Sequence, residues 1–139
     1  MKIPESAIEL LSSGVIAHVA TIDEDGKPQV TCAWVDVDEN ELRIATMFDQ
    51  RKLKNMRRDA RVTVSVASDK TNDFGLREYV VIYGRASLTE GGAAELLQKL
   101  AATYIGPDAV FPGMPEPPPG FIVHVTPERI AGVGPWVKF

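Results

Sequence analysis

The sequence predicts an antiparallel, mainly β fold with two or three flanking helices, closed or half-closed into a barrel. Six or more short apolar runs are separated by turn-forming residues, and the first three runs are joined by tight turns, as in an antiparallel meander. Residues 61–67 alternate strictly, with Val62, Val64 and Val66 on one face. Strands at this density avoid exposed edges by curling round or by pairing with a second chain.

The first 47 residues predict one helix and three strands. Pro4 suits a helical first turn and Gly14 a helix end, and Gly26 supplies the positive φ of a hairpin turn. In the second strand, Cys32 lies on one face with two large apolar residues, so we expect it to be buried in the core. The predicted elements are a helix at 4–12 and strands at 15–22, 28–37 and 42–47.

The rest of the chain is predicted to form a short basic helix, three strands and a long helix. Gly84 indicates a bulge or a close backbone approach within its strand. Thr89 is the expected cap of the long helix, and Pro127 is expected to end the last clear strand. Residues 107–120 hold six of the ten prolines and are expected to be extended and irregular. The remaining elements are strands at 61–67, 77–88 and 121–125, a helix at 89–104, a loop at 68–76 and a glycine-containing tail at 130–139.

The bulk composition indicates one domain over residues 1–139, with 45% hydrophobic and 24% charged residues. No apolar run reaches the roughly 20 residues needed to span a membrane. The net charge of -4 argues against nucleic acid as a partner. The sole cysteine excludes an internal disulfide, which favours the reducing cytoplasm. His18, His124 and Cys32 do not form a metal-binding or nucleophilic arrangement, so neither a metal site nor a catalytic residue is predicted.

The segment 48–61 reverses the sign of the chain, with six basic residues and two acids. Asp49 is the expected N-cap, and Phe48 and Leu53 fit a hydrophobic staple. Leu53 and Met56 are expected to face the core.

Arg51, Asn55 and Arg58 share the other face of the predicted basic helix. A helix start with Arg51 and Lys52 in its first turn suits an anion, and Thr46 ends the preceding strand beside it. From the residues alone, a solvated basic face and a site for a phosphorylated small molecule both remain open.

Four motifs in order extend this interpretation: ATIDEDGKPQVT (20–31), RKLKNMRRDARV (51–62), YVVIYGRA (79–86) and PERIAGVG (127–134). Together they resemble the pyridoxamine-phosphate-oxidase-like split β-barrel superfamily, and within it the flavin/deazaflavin oxidoreductases that use coenzyme F-420 or FMN. The resemblance implies an FMN-binding split barrel and a homodimer, with two cofactors in clefts between the subunits.

The resemblance also assigns roles to residues of the basic helix and its surroundings. Arg51 and Lys52 match a basic pair at the cofactor phosphate, and Asn55 and Arg58 match residues that support that pocket. Thr46 matches a strand-end residue near the ring system.

Two further residues are assigned on the same basis. Thr31 lies on a strand that usually lines the ring. Trp136 either reaches a cofactor across the dimer or packs at the dimer seam.

The implied activity is hydride transfer from reduced F-420 to a small conjugated acceptor such as an enone, a quinone or a tetrapyrrole. An FMN-dependent reductase on the same fold is the alternative. A non-enzymatic carrier of flavin, haem or another tetrapyrrole is the third interpretation.

Overall fold

The computed structural model describes residues 1–138, which form seven strands and three helices. No helix in this range is both long enough and apolar enough to cross a membrane. The elements, in chain order, are α1 (Glu5–Leu11), β1 (Ala17–Ile22), β2 (Pro28–Ala33), β3 (Asp36–Asp38), β4 (Glu41–Thr46), α2 (Arg51–Arg58), β5 (Arg61–Thr71), β6 (Arg77–Glu90), α3 (Ala93–Tyr104) and β7 (Phe121–Val133).

The strands form one antiparallel sheet in the order β2-β1-β5-β6-β7-β4-β3. Val19 of β1 and Leu42 of β4 lie far apart in this order, yet both are fully buried in the same apolar cluster. The sheet must therefore curl around that cluster, as a barrel does. The predicted antiparallel, mainly β fold with flanking helices is confirmed.

The predicted second strand, residues 28–37, proves to be two strands with different partners. β2 ends at Ala33 after pairing with β1, whereas β3 pairs with β4. At the crossing, the backbone N–H of Val35 donates to the Tyr104 hydroxyl (3.0 Å) instead of to a strand. The buried carboxylate of Asp36 accepts from Arg43 (2.6 Å) and Lys99 (3.0 Å), which fixes the start of β3.

The loop predicted at 68–76 is shorter than expected, because β5 continues to Thr71. The pairing of β5 with β6 shifts register between Ala67 and Thr71, and the polar residues after Ala67 continue β5 beyond this shift. A tight turn then follows, in which the Asn72 side chain accepts from the backbone N–H groups of Phe74 and Leu76.

Two predicted boundaries around β6 and β7 are wrong. Thr89 does not cap α3, because β6 continues to Glu90 and Gly92 (φ +80°) occupies the cap position. Pro127 does not end the last strand, because β7 runs to Val133.

The bulge predicted at Gly84 is confirmed and explains why Pro127 is tolerated. The β6–β7 register shifts between Tyr83 and Gly84, and Gly84 then pairs with Pro127. A proline has no N–H to donate, so it is accepted where the ladder is already irregular. A Cβ at position 84 would overlap the carbonyl oxygen of Thr126, so the backbones approach too closely there for any other residue.

The predicted cap and hydrophobic staple of α2 are wrong. Gln50 occupies the N-cap position and makes no side-chain hydrogen bond to the helix. The carboxylate of Asp49 instead pairs with Arg57 at 2.8 Å, and Phe48 is 58% exposed. A guanidinium about two turns away therefore competes successfully for the expected capping carboxylate. Leu53 and Met56 face the core as predicted.

Candidate functional site

A cavity of about 330 Å³ opens where β2 and β4 end, the basic helix begins and α3 passes. Its walls are mainly apolar and aromatic, with few polar groups, which is the usual character of a small-molecule site. The lining residues are Ile16, Cys32, Ala33, Trp34, Ala45, Thr46, Met47, Phe48, Gln50, Lys52, Leu97 and Phe111.

Lys52 is the charged residue of this wall, and it is only 6% exposed. Within residues 1–138 its ammonium group has neither an ion pair nor a hydrogen bond. Burial lowers the pKa of Lys52 below its ordinary value, because the charged form loses water without gaining a counter-ion. The Lys52 side chain is buried while its ammonium lacks a partner among the described residues, so this group is available to an anion that enters the cavity.

The first turn of α2 adds a second source of positive potential. Among the described residues, the backbone N–H groups of Arg51 and Lys52 have no acceptor, while those of Leu53 and Lys54 bond to the carbonyl of Gln50. Free amides at a helix N-terminus carry partial positive charge and attract anions. Because Gln50 and Lys52 both line the cavity, this end of the helix belongs to the same site.

Arg51 lies apart from Lys52, although the two residues are adjacent in sequence. Its side chain is 68% exposed and pairs with Asp23 at 2.8 Å. Successive helical residues are turned by about 100° around the axis, since 3.6 residues make one turn. Lys52 therefore enters the cavity, whereas Arg51 reaches outward to the β1–β2 hairpin. The structure does not bring the predicted basic pair together.

Asn55 and Arg58 lie with Arg51, as the helical spacing predicted. The amide of Asn55 donates to Thr21 Oγ1 (3.0 Å) and to Asp23 Oδ1 (2.9 Å). Arg58 donates to the Ile22 carbonyl (2.8 Å) and to Asn55 Oδ1 (2.9 Å). These bonds brace α2 against the β1–β2 hairpin. The brace holds the helix start at the cavity without placing Asn55 or Arg58 among the lining residues.

The two predicted threonines occupy different environments. Thr46 lines the cavity and is buried, and its hydroxyl donates to the carbonyl of Phe48 at 2.7 Å. The Thr46 oxygen can still accept a hydrogen bond from a ligand. Thr31 is absent from the cavity wall, although its neighbours Cys32 and Ala33 line it. The Thr31 hydroxyl is buried and has no hydrogen-bond partner in the described chain.

Trp136 lies at a different cavity, of about 510 Å³, formed by α1, the β5–β6 hairpin and the tail. Its indole N–H donates to the carbonyl of Tyr79 at 3.1 Å, and the ring is 8% exposed. Within one chain Trp136 therefore packs in the core and does not meet Lys52. The final residue, Phe139, lies outside the described residues.

Three aromatic residues near the cavity were not singled out by the sequence. Trp34 stacks on Tyr104 with ring centroids 5.3 Å apart, and Phe111 packs on Trp34 at 5.2 Å. Trp34 and Phe111 both line the cavity. A large aromatic residue inside a proline-rich segment that was expected to cross the surface was the available signal for Phe111.

The cysteine and histidine residues of the strands lie in different environments. Cys32, expected in the core, is exposed on the outer face of β2 opposite His18 of β1. His124 is half-buried and lies 2.9 Å from both Glu41 and Thr89. Across residues 1–138, no cluster of three or more histidine, cysteine or acidic side chains is arranged to hold a metal ion.

Comparisons with known proteins agree with this architecture. A family model described as pyridoxamine 5′-phosphate oxidase matches residues 3–134. The fold is similar to that of a solved F-420 reductase, with a TM-score of 0.76, 25% identity, and coverage of 93% of this chain and 98% of that one. A conserved hypothetical protein from Mycobacterium tuberculosis matches with a TM-score of 0.69 and 25% identity, over 93% of this chain and 83% of its own.

HupZ from Group A Streptococcus shares the fold at 18% identity, with a TM-score of 0.68 and coverage of 99% of this chain and 98% of HupZ. At that identity the likeness concerns the fold alone. The split-barrel architecture expected from the four sequence motifs is thereby confirmed.

Proposed function

Because the chain belongs to the pyridoxamine 5′-phosphate oxidase family, we propose that it is an oxidoreductase whose flavin-type cofactor is anchored at Lys52. The observation that carries the proposal is Lys52, whose side chain is only 6% exposed in the wall of an apolar cavity and whose ammonium is unpaired within residues 1–138. A phosphorylated cofactor supplies the counter-charge that Lys52 lacks, and its flat ring suits the aromatic face of Trp34 in the cavity wall.

The neighbouring groups support a phosphate at this end of the cavity. The free backbone amides of Arg51 and Lys52 donate to anions at a helix start. Arg51 is exposed and can exchange its ion pair with Asp23 for a cofactor phosphate outside the cavity. Asn55 and Arg58 act as the brace that keeps the helix start in place.

We favour F-420 as the cofactor. The similarity to the F-420 reductase supports this choice, since it extends over almost the whole of both chains at 25% identity. The acidic tail of F-420 calls for cations beyond Lys52. Among the basic residues of α2, Lys54 is exposed and has no ion-pair partner in the described chain, whereas Arg57 is paired with Asp49. FMN fits the same anion site and is the alternative.

When bound, a reduced cofactor of this class supplies a hydride to a conjugated acceptor, and a proton completes the reduction of the acceptor bond. The residues of this chain bind and orient. Lys52 compensates the phosphate charge, and the apolar walls exclude water from the ring. Thr46 offers an acceptor oxygen, with its own proton held by the Phe48 carbonyl. Thr31, whose hydroxyl lacks a partner in the described residues, lies on the strand that we assign to the ring side.

We further propose that the protein is a homodimer whose second copy covers the outer face of β1 and β2. Val30 is 59% exposed and Ile16 is 48% exposed, and His18 and Cys32 are exposed between them. Ile16 and Cys32 also border the cavity. A partner on this face would therefore close the cavity mouth.

The test of the cofactor is direct titration. The purified protein is titrated with FMN and with F-420, and binding is followed by cofactor fluorescence and by thermal stabilisation. We expect micromolar or tighter binding of one of them, with F-420 preferred. Failure of both to bind at high micromolar concentration would refute the proposal. Binding without turnover of enones, quinones or tetrapyrroles would instead support the carrier interpretation.

The test of the dimer is sedimentation of the wild type beside Val30→Asp. A charge at this exposed apolar position should yield monomers and weaken cofactor binding, since the cavity mouth would open. A wild type that sediments as a monomer at micromolar concentration contradicts the homodimer.

A further inference from the structure

The aromatic wall of the cavity is fastened to the barrel on one side. Tyr104, at the end of α3, stacks nearly parallel to Trp34, with an angle of 11° between the rings. The Tyr104 hydroxyl accepts from the N–H of Val35 (3.0 Å) and lies 3.3 Å from its carbonyl. Trp34 is thereby fixed between a helix end and a strand crossing, and it gives the cavity a rigid flat surface.

The other aromatic of the wall, Phe111, comes from the proline-rich segment 107–120. This segment has no helix or strand, and its end is held by backbone bonds from Gly91 and Ala93 to the carbonyls of Gly120 and Pro119. Near Phe111 a side chain holds it as well. The Gln98 side chain on α3 does so with both ends of its amide. Its oxygen accepts from the N–H of Phe111 (3.0 Å), and its nitrogen donates to the carbonyl of Ala109 (2.8 Å). Between these two residues, Val110 points outward and is 77% exposed.

The ring of Phe111 packs on Trp34 at an angle of 58° and borders the cavity together with Leu97. A cavity of about 330 Å³ is near the lower end of small-molecule sites, which measure roughly 300–1,000 Å³. A phenyl group on its border therefore limits the size of any ring that enters.

We propose that Phe111 is the specificity-determining residue of this site, and that it sets the largest planar ring system the cavity accepts beside the cofactor. Gln98 is its positioning residue. The inference rests on the proposed function, since it takes the cavity as the place where a conjugated acceptor meets the cofactor. The proline-rich segment and α3 then set the choice of acceptor, whereas α2 holds the cofactor.

Steady-state kinetics with two quinones test this assignment. The ratio of kcat/KM for a three-ring quinone over a one-ring quinone is compared between wild type and Phe111→Ala. We expect the ratio to rise by about tenfold or more, mainly through KM, since even one methylene in an apolar pocket changes discrimination about 10- to 200-fold. Cofactor affinity should change less than twofold. Val110→Ala is the matched control, because its exposed side chain leaves the wall intact.

Gln98 variants separate positioning from simple stability. Gln98→Ala removes both bonds to the segment and should shift the ratio in the same direction as Phe111→Ala. Gln98→Glu keeps an acceptor for the Phe111 N–H but loses the donor to Ala109, and an intermediate ratio is expected. Phe111→Leu provides a second wall variant if Phe111→Ala does not fold. An unchanged ratio in the folded Phe111 variants, or a change in cofactor affinity as large as the change in KM, overturns the assignment.

A binding experiment decides the point without turnover. Benzenesulfonate and anthraquinone-2-sulfonate present one and three rings on the same anionic group, which suits the ammonium of Lys52. Calorimetric titration should show that Phe111→Ala raises the affinity of the larger probe relative to the smaller one. If the cofactor titration fails, the proposed function falls, while this preference still tests the role of Phe111. A wild type that binds neither sulfonate, or a preference that is unchanged, refutes the inference.

Discussion

Replacement of Lys52 by methionine should stabilise the free protein and weaken its binding of anions. Methionine keeps most of the apolar stem and removes the charge. Lys52 is 6% exposed and lacks a protein partner within residues 1–138, so the folded, ligand-free protein bears the desolvation of an uncompensated ammonium. A lysine with a purely structural role would show the opposite sign of stability change.

The structure sets the size of both effects. Leaving a buried polar group unsatisfied costs about 1–3 kcal/mol, so relief of this cost should raise the stability of the free Lys52→Met protein by about 1–2 kcal/mol. For a chain of this length that corresponds to a Tm increase of roughly 3–8 °C. Loss of one charge-assisted bond to phosphate, worth about 1.5–3 kcal/mol, should weaken cofactor binding roughly 10- to 150-fold.

Thermal unfolding without ligand and fluorescence titration with FMN and F-420 measure the two effects on the same preparations. Lys54→Met is the matched control for the stability measurement, because Lys54 is exposed on the same helix. It should leave the Tm within about 2 °C, since surface substitutions usually change stability by less than 0.5 kcal/mol. The reasoning is refuted if Lys52→Met lowers the Tm of the free protein, or if it leaves the affinity for both cofactors unchanged.

Three further predictions concern pH, the bulge and the brace. The pKa of Lys52 in the folded protein lies below its ordinary 10.5, so phosphate affinity should fall as pH rises through that lowered pKa. Between the lowered pKa and 10.5 the unfolded chain keeps a proton on Lys52 that the folded protein has lost. The stability of the ligand-free protein should therefore rise with pH in that range. Lys52→Arg should abolish the loss of affinity in pH-dependent titrations, because a guanidinium stays charged. Gly84→Ala should destabilise by about 2–3 kcal/mol in urea unfolding, since its Cβ overlaps the Thr126 carbonyl, whereas Gly113→Ala, in open space, should not. Asn55→Ala should lose about 2 kcal/mol of stability with cofactor affinity nearly unchanged, and a large loss of affinity without destabilisation would show that Asn55 contacts the cofactor instead.

Elements whose apolar pattern matches their burial could be predicted from the sequence. The alternation of Val62, Val64 and Val66 identified the core face of β5, and Leu53 and Met56 identified the buried face of α2. Gly84 marked the bulge because the need for a residue without a Cβ is visible in one residue type. These features depend on residue types and their spacing along the chain, which can be read directly from the sequence.

Boundaries that depend on a competing partner could not be predicted. Asp49 had the right chemistry for a cap, but Arg57 took its carboxylate. A proline normally ends a strand, but Pro127 lies beside the register shift between Tyr83 and Gly84, where the ladder is already irregular. Cys32 looked like a core residue because the sequence does not say which face of β2 is covered within one chain.

The sequence by itself determined the antiparallel, mainly β fold, the family and the segment on which an anion site would lie. Only the tertiary structure showed which of the two adjacent cations lines the cavity. Arg51 and Lys52 are neighbours with the same charge, and the helical turn between them sends one to Asp23 and the other into the cavity. The structure also brought Phe111 to the wall of that cavity across a segment without regular structure. Burial and hydrogen bonding from distant parts of the chain make these assignments, and no local pattern encodes them.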